Sequence, residues 1–156
     1  MLRDTACSAQ LATLTEDELP EASYAPCVWY SGDCYLYLSE LSSHTGNLVR
    51  NPRIGLMLIE DATEASNPFA RKRASLKGEA LIIARDNDLF SPVMAEFHRR
   101  FGNVMKVIEP LPDFRLFRVK VNAGSFVRGF GQAFKLIGDK LDQLVPIDPR
   151  NQAGSQ

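Results

Sequence analysis

Cys34-Tyr35-Leu36-Tyr37-Leu38-Ser39-Glu40-Leu41-Ser42-Ser43-His44-Thr45-Gly46-Asn47-Leu48-Val49-Arg50-Asn51-Pro52 reads as a strand that runs directly into a short helix. Its first five residues are apolar or aromatic, the composition of a strand. From Ser42 the period changes. Hydroxyls and an imidazole crowd a helix start, and Asn51-Pro52 ends the helix, because the residue before a proline is pushed out of the helical region. Upstream, Ser23-Tyr24-Ala25-Pro26-Cys27-Val28-Trp29-Tyr30 is β-rich and joined to Cys34 through Ser31-Gly32-Asp33, so the two runs form a hairpin. Pro26 has no N–H to give a ladder and belongs at an edge or a bulge. Leu11 to Leu14 begins an earlier strand, followed by a charged turn from Thr15 to Glu18.

Downstream, Arg53 to Ile59 is a strand, Glu60 to Pro68 an acidic loop, and Arg73 to Ala84 a long strand interrupted by Gly78. A glycine in that position marks a bulge or a barrel corner. Phe90, Met94, Phe97 and Phe101 then form one apolar helical stripe, with aspartates upstream as caps. Phe114 to Val121 alternates, and Ser125 to Phe134 is expected to be the final strand. The tail from Pro146 to Gln156 is polar and expected to be mobile. About six strands and two helices, with no repeat and no βαβ alternation, make a mainly β domain. We expect a small antiparallel barrel with peripheral helices over residues 11–145, after a lead-in of residues 1–10.

The 156 residues carry 18 Lys+Arg against 19 Asp+Glu, a net charge of -1. No clustered positive excess draws the chain to nucleic acid or an anionic membrane. The longest clean apolar run, Ile54 to Ile59, is far short of the roughly 20 residues of a membrane span. Cys7, Cys27 and Cys34 lack CxxC spacing and read as reduced thiols. The N-terminal MLRDTACSAQ has no apolar signal stretch, and the expected compartment is the cytoplasm.

Three segments carry candidate chemistry. Ser42-Ser43-His44-Thr45 opens a helix, where unpaired N–H groups and the helix dipole favour a phosphate; the same residues also serve as plain N-caps. In Phe69-Ala70-Arg71-Lys72-Arg73, Arg71 and Arg73 share one face of an extended segment and suit an anion, or else the run is a solvated sheet edge. Gly124-Ser125-Phe126-Val127-Arg128-Gly129-Phe130-Gly131-Gln132-Ala133-Phe134 combines glycines with aromatics. It is not a dinucleotide fingerprint, since the third glycine is replaced by Phe134. Phe130 is available for stacking, and the alternative is a bulged closing strand. His44 and His98 lie far apart, so no local metal-binding pair exists, and no base-activated Ser or Cys motif is present.

Taken in order, Leu11 to Leu14, Tyr35 to Leu48, Asn51-Pro52-Arg53, Asn67 to Arg73 and Gly124 to Phe134 resemble the FMN-binding split-barrel superfamily, the pyridoxamine 5′-phosphate oxidase-like proteins. Within it the chain looks most like the haem-utilisation branch of HugZ and HutZ type. The resemblance implies a six-stranded antiparallel split barrel and a homodimer with two ligand sites at its interface. The flavin phosphate would be held by Ser42, Ser43, His44 and Thr45. Tyr37, Leu38 and Ser39 would lie along the ring or ribityl portion, Arg73 would approach from a neighbouring strand, and Phe130 and Gln132 would come from the second subunit. The expected function is an FMN-binding redox protein. A haem-binding or haem-degrading protein of iron utilisation, with His44 as a candidate iron ligand, is the alternative, and a ligand-free dimeric interaction module is the third reading.

Overall fold

In the computed structural model, which describes residues 2–138 and 141–148, eight strands form one antiparallel sheet. In chain order the elements are α1 (Leu2–Thr5), β1 (Ser8–Leu14), β2 (Pro20–Tyr30), β3 (Asp33–Ser39), α2 (Ser43–Arg50), β4 (Arg53–Ile59), a 3-10 turn (Pro68–Ala70), β5 (Arg73–Ile83), α3 (Phe90–Phe101), α4 (Val104–Ile108), β6 (Phe114–Gly129), β7 (Gln132–Ile137) and β8 (Gln143–Pro146). The strand order is β3-β2-β1-β4-β5-β6, and β6 returns to pair with β3. This is a closed six-stranded split barrel, with β7 and β8 added as a wing.

The split has a definite origin in β6, a strand of 16 residues. Its first part, Phe114 to Val119, pairs with β3, and its last part, Gly124 to Gly129, pairs with β7. Two partners thus succeed one another along one edge while β5 follows the other edge. Between the two parts the register slips. Lys77 faces Ala123, Gly78 faces Val121, and Asn122 is left out. The bend expected at Gly78 is this bulge.

Two cores flank β3, which explains why its apolar run does not alternate with polar residues. Cys34, Leu36 and Leu38 point into the barrel with Leu11, Leu56, Phe117 and Val119. Tyr35 and Tyr37 point outward, beneath Phe90, Val93, Met94 and Phe97 of α3. The helical stripe is therefore as expected, but the aspartate cap is not: the N-cap position is Leu89, no side chain caps the helix, and Asn87 accepts from the Leu89 N–H at 2.9 Å in the turn before it. Pro26 pairs with Ser8 of β1 and precedes the part of β2 that pairs with β3, so its missing donor costs no ladder bond there.

Other expectations are corrected. Ser125 to Phe134 is not one strand. It is the end of β6, a turn at Phe130-Gly131 and the start of β7, with Gly131 at φ 69°. Helices α1 and α4 and strand β8 had no clear sequence signal. Pro146, placed in the tail, ends β8, while the remainder of that tail from residue 149 lies outside the described residues. The three cysteines are free thiols, Cys7 exposed and the other two buried.

Candidate functional site

The start of α2 is built from donors that turn inward. Ser42 takes the N-cap position in an extended conformation, and its own hydroxyl makes no cap bond. Thr45 Oγ1 donates to the Ser39 carbonyl at 2.5 Å, His44 Nδ1 lies 3.0 Å from Ser23 Oγ, and Asn47 Nδ2 donates to Thr13 Oγ1 at 3.1 Å. Ser43 Oγ donates to the Glu21 carboxylate. These bonds fasten the helix to β1, β2 and the end of β3. They also engage the side chains of Ser43, His44 and Thr45 that would otherwise face a ligand.

His44 is only 8% exposed, and burial draws its pKa below the ordinary histidine value, with the Glu21 charge opposing in part. Because the folded state resists protonation, stability is full above the unfolded value of about 6.5 and falls as the pH drops through the lower, folded one. Urea unfolding should therefore show a weaker fold at pH 5.5 than at pH 7.5, with a smaller difference in His44→Gln. Equal differences in the two proteins would assign the acid sensitivity to other groups.

Beside α2 lies a groove of about 450 Å³, within the size range of small-molecule sites. Thr45, Gly46, Val49 and Arg50 line it from the helix, Ile82 and Arg115 from the sheet, and Glu40 from the turn after β3. Arg115 donates to Glu40 at 2.5 Å, so its charge is already matched. The exposed side chains of Val49 and Ile82 supply an apolar patch. Of these lining residues only Thr45 was a candidate from sequence. The others are assembled by strand register, which no local motif encodes.

Tyr37 and Leu38 do not present their side chains to this groove. Leu38 is in the barrel core. Tyr37 packs against Phe90 and Phe114; its hydroxyl donates to the Glu109 carbonyl at 2.9 Å and accepts from Arg85 at 2.9 Å. Ser39 Oγ donates to Asp113 at 2.8 Å. His98, at the end of α3, pairs with the Glu109 carboxylate. Among the described residues there is no group of three or more His, Cys, Asp or Glu positioned to hold a metal ion.

Arg73, Phe130 and Gln132 lie at the other end of the sheet. Arg73 is opposite Val127, Phe130 is in the β6–β7 turn, and Gln132 opens β7. The 3-10 turn packs against β6, so Phe69, 81% exposed, belongs to the same region as Phe130, 79% exposed. The cations here are ordered: Arg71 donates to the Glu60 carbonyl, Arg73 to the Arg71 carbonyl at 3.1 Å, and Arg128 stacks 5.0 Å from the Phe134 ring centre. Ser39 is opposite Phe114 and Arg73 opposite Val127. At about 3.3 Å per residue those two points on β6 are roughly 40 Å apart along the strand. The sequence-derived site thus divides into two halves that one flavin or porphyrin does not span within a chain.

Residues 4–128 match the protein family described as "Pyridoxamine 5'-phosphate oxidase". The chain is 40% identical over 139 residues to "Heme oxygenase HutZ" of Vibrio cholerae serotype O1 (strain ATCC 39315 / El Tor Inaba N16961), covering 89% of this chain and 79% of that protein. The crystal structure of HutZ from Vibrio cholerae, described as a haem storage protein, superposes with a TM-score of 0.74 at 34% identity over 89% of this chain and 93% of that one. Campylobacter jejuni ChuZ superposes with a TM-score of 0.85 at 31% identity, over 94% of this chain and 59% of that one.

Proposed function

The chain belongs to the pyridoxamine 5′-phosphate oxidase family, and from that premise we propose that it is a haem-binding protein of iron utilisation rather than a flavin-dependent oxidase. The observation that carries this reading is the 40% identity with "Heme oxygenase HutZ" along nine-tenths of the chain. The wing supplies chemistry that suits such a ligand. Phe69 and Phe130 expose rings to which a flat macrocycle can stack, and Arg71, Arg73 and Arg128 offer guanidinium groups to its carboxylates. Haem, when bound, supplies the iron and its redox chemistry; this chain's residues would hold the macrocycle and its acidic arms. The α2 turn fits FMN poorly. The Ser43 and Thr45 hydroxyls are bonded within the chain, and the first turn carries no Lys or Arg.

The functional unit we propose is a homodimer. The two site halves sit far apart on one chain, so they can meet only between chains, and Leu41, Val49, Leu81 and Ile82 leave exposed apolar surface near the α2 half. Titration with haem should give a Soret band that saturates near one haem per chain, while FMN at micromolar concentration should give no bound flavin. Arg71→Gln/Arg73→Gln should weaken haem binding at least about tenfold, since it removes two charge-assisted contacts. Flavin uptake without a Soret change would overturn the reading in favour of FMN. Neither ligand binding would leave the dimeric interaction module.

A further inference from the structure

A helix N-terminus attracts anions because its first N–H groups lack partners within the helix and the dipole is positive there. In α2 that attraction is already answered from inside the chain. Ser43, the first residue of the helix, donates its hydroxyl to Glu21 Oε1. Glu21 is held by the sheet: it lies on β2 opposite Thr13 of β1, and the Thr13 hydroxyl accepts from Asn47 of the same helix. The carboxylate therefore occupies a fixed place beside the first turn.

Among the described residues, the cations nearest the turn leave this charge standing. The first turn holds no Lys or Arg, and its one basic side chain, His44, is kept from protonation by burial despite the Glu21 charge; Arg50 lies in the last turn and reaches Asn47, and Arg115 is matched by Glu40. A dianionic phosphate brought to the turn would meet Glu21, and like charges placed together disfavour binding. We propose that Glu21 is a specificity-determining residue that gives α2 an internal anion and bars phosphorylated ligands from its N-terminal turn. The inference goes beyond the haem reading and does not depend on it, because it concerns what the turn rejects. It adds a repelling charge to the engaged hydroxyls and missing cation that already make the turn a poor fit to FMN.

FMN and riboflavin share a ring system and differ by one phosphate, so their affinity ratio isolates the effect. Flavin fluorescence quenching should show that the wild type binds FMN no better than riboflavin. Glu21→Gln keeps an acceptor for Ser43 and should raise FMN affinity relative to riboflavin at least about tenfold, with inorganic phosphate competing for the gain. Glu21→Ala, which also removes the charge, should move the ratio in the same direction and serves if the glutamine variant fails to fold. A wild type that prefers FMN tenfold, an unchanged ratio in the variants, or no FMN uptake by a folded variant up to millimolar concentration would each overturn the proposal. Haem titration of the same samples separates the two readings: an unchanged Soret response alongside an altered flavin ratio supports Glu21 as a phosphate barrier, whatever holds the haem.

Discussion

Gly78→Ala should remove most of the stability of the barrel. A Cβ built on Gly78 would lie 2.9 Å from the carbonyl carbon of Lys120, closer still to its oxygen, and 3.0 Å from the Val121 Cα. These are backbone atoms of the strand paired with β5, so neither a rotamer change nor a flexible side chain can give way. Relief requires β5 and β6 to separate at the bulge where β6 passes from β3 to β7. Overpacking usually costs about 1–3 kcal/mol, and a clash with paired backbone belongs above that range. Against a total of about 5–15 kcal/mol for a domain, the variant should unfold at a much lower urea concentration or accumulate as aggregate. Gly46→Ala is the control. Gly46 is inside α2, and a methyl group added there would meet nothing within 4 Å, so the substitution should stabilise by about 0.5–1 kcal/mol. If both alanines have similar effects, the close approach at Gly78 is not what constrains that position.

The bend at Gly78 was legible because a glycine within an alternating strand has few other physical meanings. Most of the barrel was legible for similar reasons: alternation along Phe114 to Val121, the helical stripe on α3, and Asn51-Pro52 closing α2. The hairpin at Phe130-Gly131 was not. The strand-forming residues continue on both sides of a turn that only Gly131, with its positive φ, makes possible. Burial of Tyr37 and Leu38 was hidden for the opposite reason, since Cys34 to Leu38 offers no polar face to tell a ligand-facing side from a core-facing one. Both sides are core. The role of Glu21 was invisible from sequence, because its nearness to Ser43 depends on helix α2 packing beside β1 and β2.

The divided site also gives the sheet's architecture a functional meaning. The α2 half depends on β3 pairing with the first part of β6, whereas the wing depends on β5, the last part of β6 and β7. A change that loosens one pairing need not loosen the other, and each half of the proposed ligand interface can be weakened separately.

Phe117→Ala should show this separation. Phe117 is fully buried on β6, opposite Leu36 of β3 and Ile82 of β5, where the barrel closes. Truncating a buried phenylalanine costs about 3–5 kcal/mol through lost transfer energy and the cavity left behind. Strands held on both sides can collapse only partly into that cavity, so the loss should lie toward the upper end. The nearest casualties are the contacts that shape the α2 groove. Leu38 pairs with Arg115 and Ser39 with Phe114, and the Arg115–Glu40 and Ser39–Asp113 contacts depend on that register. In hydrogen exchange on the folded variant, amides from Cys34 to Ser39 should lose protection before those from Gly124 to Gly129, because cavity loss acts first on the pairing nearest the missing ring. Equal loss along all of β6 would mean that barrel and wing open as one cooperative unit. Earlier loss in the wing would show that the closure at β3 is not what the Phe117 ring secures.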